Sequence, residues 1–406
     1  FAPAGGSTAP VGRDSAIHRL RALPNGRTSR NLFCRRLDPA PHAVGWTTYT
    51  RILSAVEACR LGAPPLFDNA PPSRLIAYSR EFTMQYTLLG RTGVRVSTLC
   101  FGTMSFGGEA DEQTSEAMYR RCREIGINFF DTANVYTNGR SEEILGKLIR
   151  ADRDQIILTS KVCGAMGRDT NDRGLSRRHI STQVEASLNR LQTDRLDLYF
   201  VHNFDEDTPI DETLRALDHL VQQGKILYPC VSNWAAWQIA KSLGISAREG
   251  LARFECIQPM YNLAKRQAEV EILPLAQSEQ LGVIPYSPLG GGLLSGKYGI
   301  GKRPEQGRIV EKENYAKRYS LDVYYEIAER FTQYAADSNV HPVTLAVAWV
   351  QSHPAVTAPI IGGRNLEQLA PSLAAAEFNM SDAQRAELSG LAPTPPPATD
   401  RLETQV

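Results

Sequence analysis

The strongest constraint on the fold is a repeated alternation of short apolar runs with amphipathic stretches, with turn residues at each junction. This rhythm predicts βα units that build a parallel sheet. The predicted strands cover residues 99–102, 128–131, 156–161, 196–202, 227–232, 256–260, 282–286 and 358–361. Helical patterns between them include residues 114–125, 176–191, 210–223, 270–280 and 343–352.

Eight predicted strands, each followed by a helix, indicate a single closed (β/α)8 barrel of the α/β class, which we place at residues 84–392. Residues 86–89 and 94–96, joined by the turn 90–93, predict a leading β-hairpin. A doubly wound open sheet is the alternative. It is less favoured because no Gly-x-Gly-x-x-Gly motif opens the first unit, as a dinucleotide-binding version requires.

The two ends of the chain lack this rhythm. Residues 1–83 are rich in Arg, Pro, Ala and Gly and show no sustained period, which predicts a poorly ordered extension. An organelle transit segment is one explanation for it, and a start assigned upstream of Met84 is the simpler one. The proline-rich tail, residues 393–406, is predicted to be disordered.

Composition favours small molecules as partners. The 45 basic and 44 acidic residues give a net charge of +1, so neither nucleic acid nor an anionic membrane surface is an expected partner. No apolar run is long enough to predict a membrane span. The seven cysteines include no Cys-x-x-Cys pair, which argues against a metal site and favours free thiols in the cytoplasm. The oligomeric state stays open.

Four polar residues at or just after the ends of consecutive strands make a chemically coherent set. Catalytic groups of such barrels come from the C-terminal ends of the strands, where Asp131, Tyr136, Lys161 and His202 are predicted to lie. Lys161 is placed to lower the pKa of the Tyr136 phenol, Asp131 to balance the lysine, and His202 to orient a carbonyl oxygen. Each residue alone also fits an ordinary structural role. Together they indicate proton transfer to a carbonyl oxygen.

The chain resembles the aldo-keto reductase family, and its broad bacterial and fungal group in particular. Residues 126–142 read Gly-x-Asn-Phe-Phe-Asp-Thr-Ala-x-x-Tyr-x-x-Gly-x-Ser-Glu, which is similar to the first signature of that family. The similarity extends over residues 84–390. It implies a catalytic tetrad of Asp131, Tyr136, Lys161 and His202, NADPH/NADP+ as cofactor, and reversible reduction of an aldehyde or ketone to an alcohol with Tyr136 as proton donor.

The nicotinamide end of the cofactor is expected to contact several strand ends. Ser232 and Asn233 offer a hydroxyl and an amide that suit a carboxamide. The resemblance implies that Gln258 assists them and that Tyr286 stacks on the nicotinamide ring. It also implies that Gly102, Thr103 and Met104 pack near the adjoining ribose.

The phosphates are expected to bind at the loops after the last two strands. Residues 287–297 supply backbone N–H groups and a cation that suit a pyrophosphate, from Ser287, Leu289, Gly291 and Lys297. After the eighth strand, Gly362 and Arg364 open a helix, and Arg364 can clamp a 2′-phosphate, which favours NADPH. An ordinary surface arginine is the alternative. By the resemblance, Gln368 reaches the adenosine.

Three departures from simple patterns qualify these expectations. Residues 291–297 match a P-loop, but Tyr298 stands where Ser or Thr would hold magnesium, so triphosphate hydrolysis is not expected. Pro229 lies within the fifth strand and is expected either to displace Ser232 and Asn233 or to be accommodated by a bulge. Pro371-Ser372 replaces a Glu-Asn pair common in similar sequences, which removes an adenine contact.

Two other functions and the nature of the substrate stay open. A nicotinamide-binding regulatory subunit of a channel or complex would keep the same tetrad. A lyase or isomerase would use Lys161 as a Schiff-base nucleophile, although Asp131 argues against this by keeping the amine charged. Phe106, Trp234 and Tyr261 near strand ends either form an apolar substrate wall or simply pack their loops.

Overall fold

A computed structural model describes residues 84–399, and it contains an eight-stranded parallel sheet preceded by a two-stranded antiparallel one. Residues 1–83 and 400–406, including the predicted extension and the end of the predicted tail, lie outside the described residues. The strands are β1 Tyr86–Leu88, β2 Arg95–Ser97, β3 Cys100–Gly102, β4 Phe129–Asp131, β5 Ile157–Val162, β6 Leu196–Val201, β7 Ile226–Ser232, β8 Cys256–Gln258, β9 Gly282–Val283 and β10 Ile360–Ile361.

The parallel sheet closes on itself. Strands β3 to β9 pair in chain order and β10 pairs with β3. The backbone N–H groups of Ala358 and Ile360 donate to the carbonyls of Val283 and Pro285, at 3.2 and 2.9 Å, so the segment leading into β10 also joins β9. The predicted (β/α)8 barrel with its leading hairpin is therefore confirmed.

Helices surround the sheet, and most predicted ranges agree with them to within about two residues. Residues 393–399 form neither helix nor strand. The helices are α1 Glu112–Glu124, α2 Arg140–Leu148, α3 Arg177–Leu191, α4 Ile210–Gln222, α5 Ala236–Glu249, α6 Ile272–Ser278, α7 Arg308–Glu311, α8 Glu313–Arg318, α9 Asp322–Asp337, α10 Pro342–Gln351, α11 Leu366–Leu373 and α12 Asp382–Ser389. Among the described residues, no helix combines the length and apolarity that a bilayer span requires.

Alternation of side chains along the strands separates two cores. Residues that face inward form one apolar cluster inside the barrel, whereas their neighbours pack against the surrounding helices. On β4, for example, Phe129 faces inward and Phe130 packs outward beside Tyr119. The inward cluster comprises Leu89, Val96, Cys100, Phe129, Leu198, Phe200, Cys230, Cys256, Ile284 and Ala358.

The leading hairpin covers the N-terminal end of the barrel. Leu89 and Val96 from the hairpin are fully buried in the inward cluster. Gly282 at the start of β9 leaves the space that Leu89 fills, because a Cβ there would lie 2.5 Å from the Leu89 Cδ1 atom. One end of the barrel is thus packed with apolar side chains, and the polar strand ends stand at the other.

Pro229 neither interrupts β7 nor displaces its end. Its carbonyl accepts from the Glu255 N–H at 3.0 Å, and the amide and carbonyl of one strand residue point to the same side. The missing N–H therefore faces residues that precede the β7–β8 ladder, whose first pair is Cys230 with Cys256. The register runs through without a bulge to Ser232 opposite Gln258. The displacement or bulge expected at Pro229 was wrong because no ladder donor is lost.

A buried ion pair ties α2 to α3 behind the strands. Glu142 is fully buried and accepts from Arg190 Nε at 2.7 Å and from Ser160 Oγ at 2.5 Å. Ser160 lies on β5 beside Lys161, so this pair also fixes the strand that carries the lysine. Removing one partner of a buried pair leaves an uncompensated charge, which costs more than the pair itself contributes.

We expect Arg190→Met to lower the free energy of unfolding by about 3–5 kcal/mol, because Glu142 would remain buried and charged. Urea unfolding followed by circular dichroism measures the change. The double variant Glu142→Gln with Arg190→Met should recover part of the loss. Arg120→Met, which removes the arginine of an exposed pair on α1, is the control and should have little effect. Equal effects of Arg190→Met and Arg120→Met would contradict the expectation.

Candidate active site

Lys161 lies at the centre of the polar strand ends. It is fully buried, and its Nζ donates to Asp131 Oδ2 at 2.6 Å and to the Thr132 carbonyl at 2.7 Å. Its third neighbour is the Tyr136 hydroxyl at 3.3 Å. The His202 ring lies beside that of Tyr136, with the two ring centroids 6.1 Å apart and the planes at 77°. The structure thus brings Asp131, Tyr136, Lys161 and His202 together.

Asp131, Lys161 and His202 converge because they continue the inward-facing positions of their strands by one further step of two. Phe129 leads to Asp131, Thr159 to Lys161, and Phe200 to His202. The same step leads from Cys230, Cys256 and Ile284 to Ser232, Gln258 and Tyr286. The period of two therefore builds a polar layer directly above the apolar interior.

Asp131 is held by more than the lysine. Its Oδ1 accepts from the Thr159 hydroxyl at 2.7 Å and from Gln258 Nε2 at 3.0 Å, and both side chains are buried. A buried carboxylate is tolerated when an opposite charge and hydrogen-bond donors replace its water. Thr159 was not among the residues predicted from the sequence, although its position two residues before Lys161 on the same strand face was a usable signal.

The loop that carries Tyr136 is anchored at both ends. Thr137 donates from its hydroxyl to the Phe106 carbonyl at 2.9 Å. Ser141 Oγ lies 2.8 Å from the Thr103 hydroxyl and 3.0 Å from that of Thr132. Thr103, expected near the cofactor ribose, is thus fully buried and holds this loop instead of presenting its hydroxyl to the cavity.

Burial and charge set the protonation states of the site. Burial raises the pKa of the Tyr136 phenol above its usual value and outweighs the opposing effect of Lys161. Burial also disfavours the lysine ammonium, but Asp131 and Tyr136 prevail, so the pKa of Lys161 is raised. Burial, assisted by Lys161, lowers the pKa of His202 to about 3. At neutral pH the site therefore holds a protonated phenol, an ammonium and an uncharged imidazole.

The net pKa of Tyr136 differs from the value expected from the sequence. Lys161 was expected to lower the pKa of Tyr136, and it does act in that direction, but desolvation of the phenolate is the larger effect. The net result keeps the phenolic proton in place over the physiological range.

A cavity of about 310 Å³ opens above the tetrad. Most side chains expected at the nicotinamide end reach it. Asn233 accepts from the Tyr286 hydroxyl at 2.8 Å and donates to the His202 carbonyl at 2.9 Å, which joins three strand ends. The predicted cofactor residues on the wall of this cavity are Gly102, Met104, Ser232, Asn233, Gln258, Tyr286, Ser287, Leu289, Gly291 and Gly362.

A second cavity of about 430 Å³ adjoins the first and shares Leu289, Gly291 and Gly362 with it. The predicted phosphate and adenosine residues Lys297, Arg364 and Gln368 line this second cavity. Arg364 already has acidic partners, Glu311 at 2.8 Å and Glu109 at 3.5 Å. Arg308, which the sequence analysis did not single out, borders both cavities and lies 3.3 Å from Glu109.

Of the two alternatives for the aromatic residues near the strand ends, packing of their own loops is the one found. Phe106, Trp234 and Tyr261 are all buried, and each packs against other rings, Phe101, Phe204 and Trp349 respectively. The loops use these rings for their own cores. The apolar part of the first cavity comes instead from Met104, Leu289, Ile360 and Ile361.

Comparison with known proteins identifies the family. The model of the aldo/keto reductase family matches residues 98–392, which include every strand of the barrel. The chain belongs to the aldo/keto reductase family. The resemblance of this chain to the family, first indicated by residues 126–142, is thereby confirmed.

Several relatives of this family are similar over most of the chain. An uncharacterized oxidoreductase of Bacillus subtilis is 37% identical over 77% of this chain and 97% of its own length. A probable voltage-gated potassium channel subunit beta of Arabidopsis thaliana is 37% identical over 72% of this chain and 92% of its own. Norsolorinic acid reductase of Aspergillus flavus is 33% identical over 81% of this chain and 84% of its own length. The chain is thus similar to oxidoreductases and to channel subunits.

We expect Thr159→Val to lower kcat about 10-fold and to leave the KM for the substrate nearly unchanged. The hydroxyl contacts Asp131 and is buried, so its loss disturbs the ion pair without removing a group from the cavity wall. Steady-state kinetics measure both constants.

Two further variants separate this effect from a loss of stability. Thr159→Ser retains the hydroxyl and should restore kcat. Thr213→Val removes another buried hydroxyl, which bonds the Leu175 carbonyl on the helix side, and should leave kcat unchanged. An unchanged kcat in Thr159→Val, or a parallel loss in Thr213→Val, would refute the positioning role.

Proposed function

We propose that this protein is an NADPH-dependent reductase of aldehydes and ketones, with Tyr136 as the general acid. The observation that carries the proposal is the Tyr136 hydroxyl held 3.3 Å from a buried Lys161–Asp131 ion pair at the floor of an open cavity. The family of the chain and its reductase relative support the same reaction class.

The donor set of the two adjoining cavities fits the cofactor that we propose. Ser232, Asn233 and Gln258 offer hydroxyl and amide groups at the tetrad end, which suit a carboxamide. Lys297, Arg308 and Arg364 provide cations farther along, which suit phosphates. When bound, NADPH would supply the hydride, and the protein would supply position and electrostatics.

The residues of the tetrad would act on the carbonyl oxygen. The phenol of Tyr136 is protonated at neutral pH and can donate its proton as negative charge develops on that oxygen. Lys161 stabilises the phenolate that remains, and Asp131 keeps the ammonium charged and in place. The uncharged imidazole of His202 can donate a hydrogen bond that orients the oxygen. Oxidation of an alcohol follows the same path in reverse.

The five cysteines among the described residues are free thiols, which agrees with the cytoplasmic location that we propose.

A regulatory subunit with slow turnover is the second candidate, and the similarity to a probable channel subunit of Arabidopsis thaliana favours it. A stable complex with a partner, together with cofactor binding but negligible turnover, would identify this role. The Schiff-base mechanism is less favoured, because Lys161 is engaged by three oxygen atoms and its raised pKa keeps the amine protonated.

We expect Tyr136→Phe to reduce kcat for aromatic aldehydes by about 10²- to 10⁴-fold, the usual contribution of a positioned general acid. The absorbance of reduced nicotinamide follows the reaction, and fluorescence titration measures NADPH binding, which should persist in the variant. Binding without turnover in the unaltered protein would favour the regulatory role. Full activity of Tyr136→Phe would exclude the proposed acid.

We expect Arg364→Met to weaken NADPH binding about 10-fold and to leave NADH binding nearly unchanged, because a 2′-phosphate is present only on NADPH. Fluorescence titration with both cofactors measures the ratio. Arg120→Met removes an exposed arginine on α1 and is the control. An equal loss of affinity for NADPH and NADH would show that Arg364 contacts a part of the cofactor that both share.

A further inference from the structure

The segment between β9 and α9 reaches over the tetrad. Tyr298, Ile309 and Tyr319 of this segment are buried in a separate apolar cluster with residues of α9. The Tyr319 hydroxyl also lies 3.3 Å from Asn262 Nδ2. Arg318 is therefore attached to a fixed point of the backbone, and its side chain lies on the wall of the cavity above Tyr136 and His202.

Arg318 and Arg308 differ in the space that they face. Arg308 borders both cavities and has an acidic partner in Glu109. Arg318 borders only the cavity that contains the tetrad. If the phosphates of the cofactor occupy the second cavity, as proposed above, Arg318 is left at the end where the reacting carbonyl binds.

The charge of Arg318 is not balanced by an acid. Among residues 84–399 no carboxylate lies within ion-pair distance of its guanidinium, whose close neighbour is the Tyr315 ring at 5.0 Å. Asp131 is the single acidic side chain on the wall of this cavity, and its charge is balanced by Lys161. His202 is uncharged at neutral pH. The substrate end of the site thus has an excess of one positive charge.

Arg318 also has an electrostatic effect on the cavity wall. Burial raises the pKa of the Tyr286 phenol to about 12, and Arg318 is the largest effect that opposes it. Tyr286 forms part of the same wall and bonds Asn233. The guanidinium therefore acts on the groups that surround the reacting centre.

We propose that the substrate carries a carboxylate in addition to the carbonyl that is reduced, and that Arg318 binds this carboxylate. The planar guanidinium matches a carboxylate with two parallel hydrogen bonds, and partial burial strengthens them. The carboxylate takes no part in the chemistry; the hydride and the Tyr136 proton both go to the carbonyl group. This inference rests on the proposed reductase function and names its substrate class.

Two matched aldehydes test the inference. The unaltered protein should reduce 4-carboxybenzaldehyde with a kcat/KM at least about 10-fold above that for 4-formylbenzamide, its uncharged analogue. Arg318→Met should abolish this preference and leave kcat/KM for the amide within about twofold. Lys317→Met is the control, because Lys317 is the exposed neighbour on α8, pairs with Glu313, and should not alter the preference.

A binding measurement makes the test independent of turnover. Calorimetric titration of the NADP+-loaded protein with benzoate and with benzamide should show tighter binding of benzoate, and Arg318→Met should lose that difference. Equal binding of the two compounds, or a preference that survives Arg318→Met, overturns the inference. Weaker NADPH binding in Arg318→Met also overturns it, by assigning the arginine to the cofactor.

The two proposals fail in different ways. If no aldehyde is reduced but benzoate binds through Arg318, the reductase function fails and the anion site stands. If the amide is reduced through Tyr136 without any preference for the acid, the reductase function stands and the substrate class is wrong.

Discussion

The ion pair between Lys161 and Asp131 is the interaction on which the site depends. Both groups are removed from water, so each requires the other, and the remaining lone pairs of Asp131 are satisfied by Thr159 and Gln258. Three strands, β4, β5 and β8, thereby contribute to one carboxylate or to its partner. The arrangement fixes Lys161 beneath Tyr136 and makes the geometry of the tetrad a property of the barrel as a whole.

Much of this could be predicted from the sequence because it follows the period of a strand. The apolar runs located the strands, and the polar residues that end them, such as Asp131 and His202, located the mouth of the barrel. The displacement or bulge expected at Pro229 was wrong for a reason that no sequence pattern shows. The cost of a proline depends on where its missing N–H would point, and that depends on where the neighbouring strand begins.

Apart from Thr159, the site residues that were missed or misplaced at the level of sequence lie outside the strand periodicity. Arg308 and Arg318 belong to the short helices α7 and α8, whose position over the cavity is set by distant contacts, such as that of Tyr319 with Asn262. The net pKa direction at Tyr136 likewise depends on burial, which no pairwise argument from Lys161 could supply. Phe106 and Trp234 were placed near strand ends correctly, but other rings bury them.

The inward-facing positions of each strand recur every two residues, from the apolar interior to the polar layer at the mouth of the barrel. This fixed spacing limits which segments of the protein can vary in length. Insertion of one residue into β5 ahead of Lys161 would turn the lysine toward the helices, so the strands tolerate little variation in length. The segment after β9 has no such register, because its buried tyrosines anchor it at a few points. Exchange of residues in that segment can therefore alter the wall of the cavity while Asp131, Tyr136, Lys161 and His202 keep their arrangement.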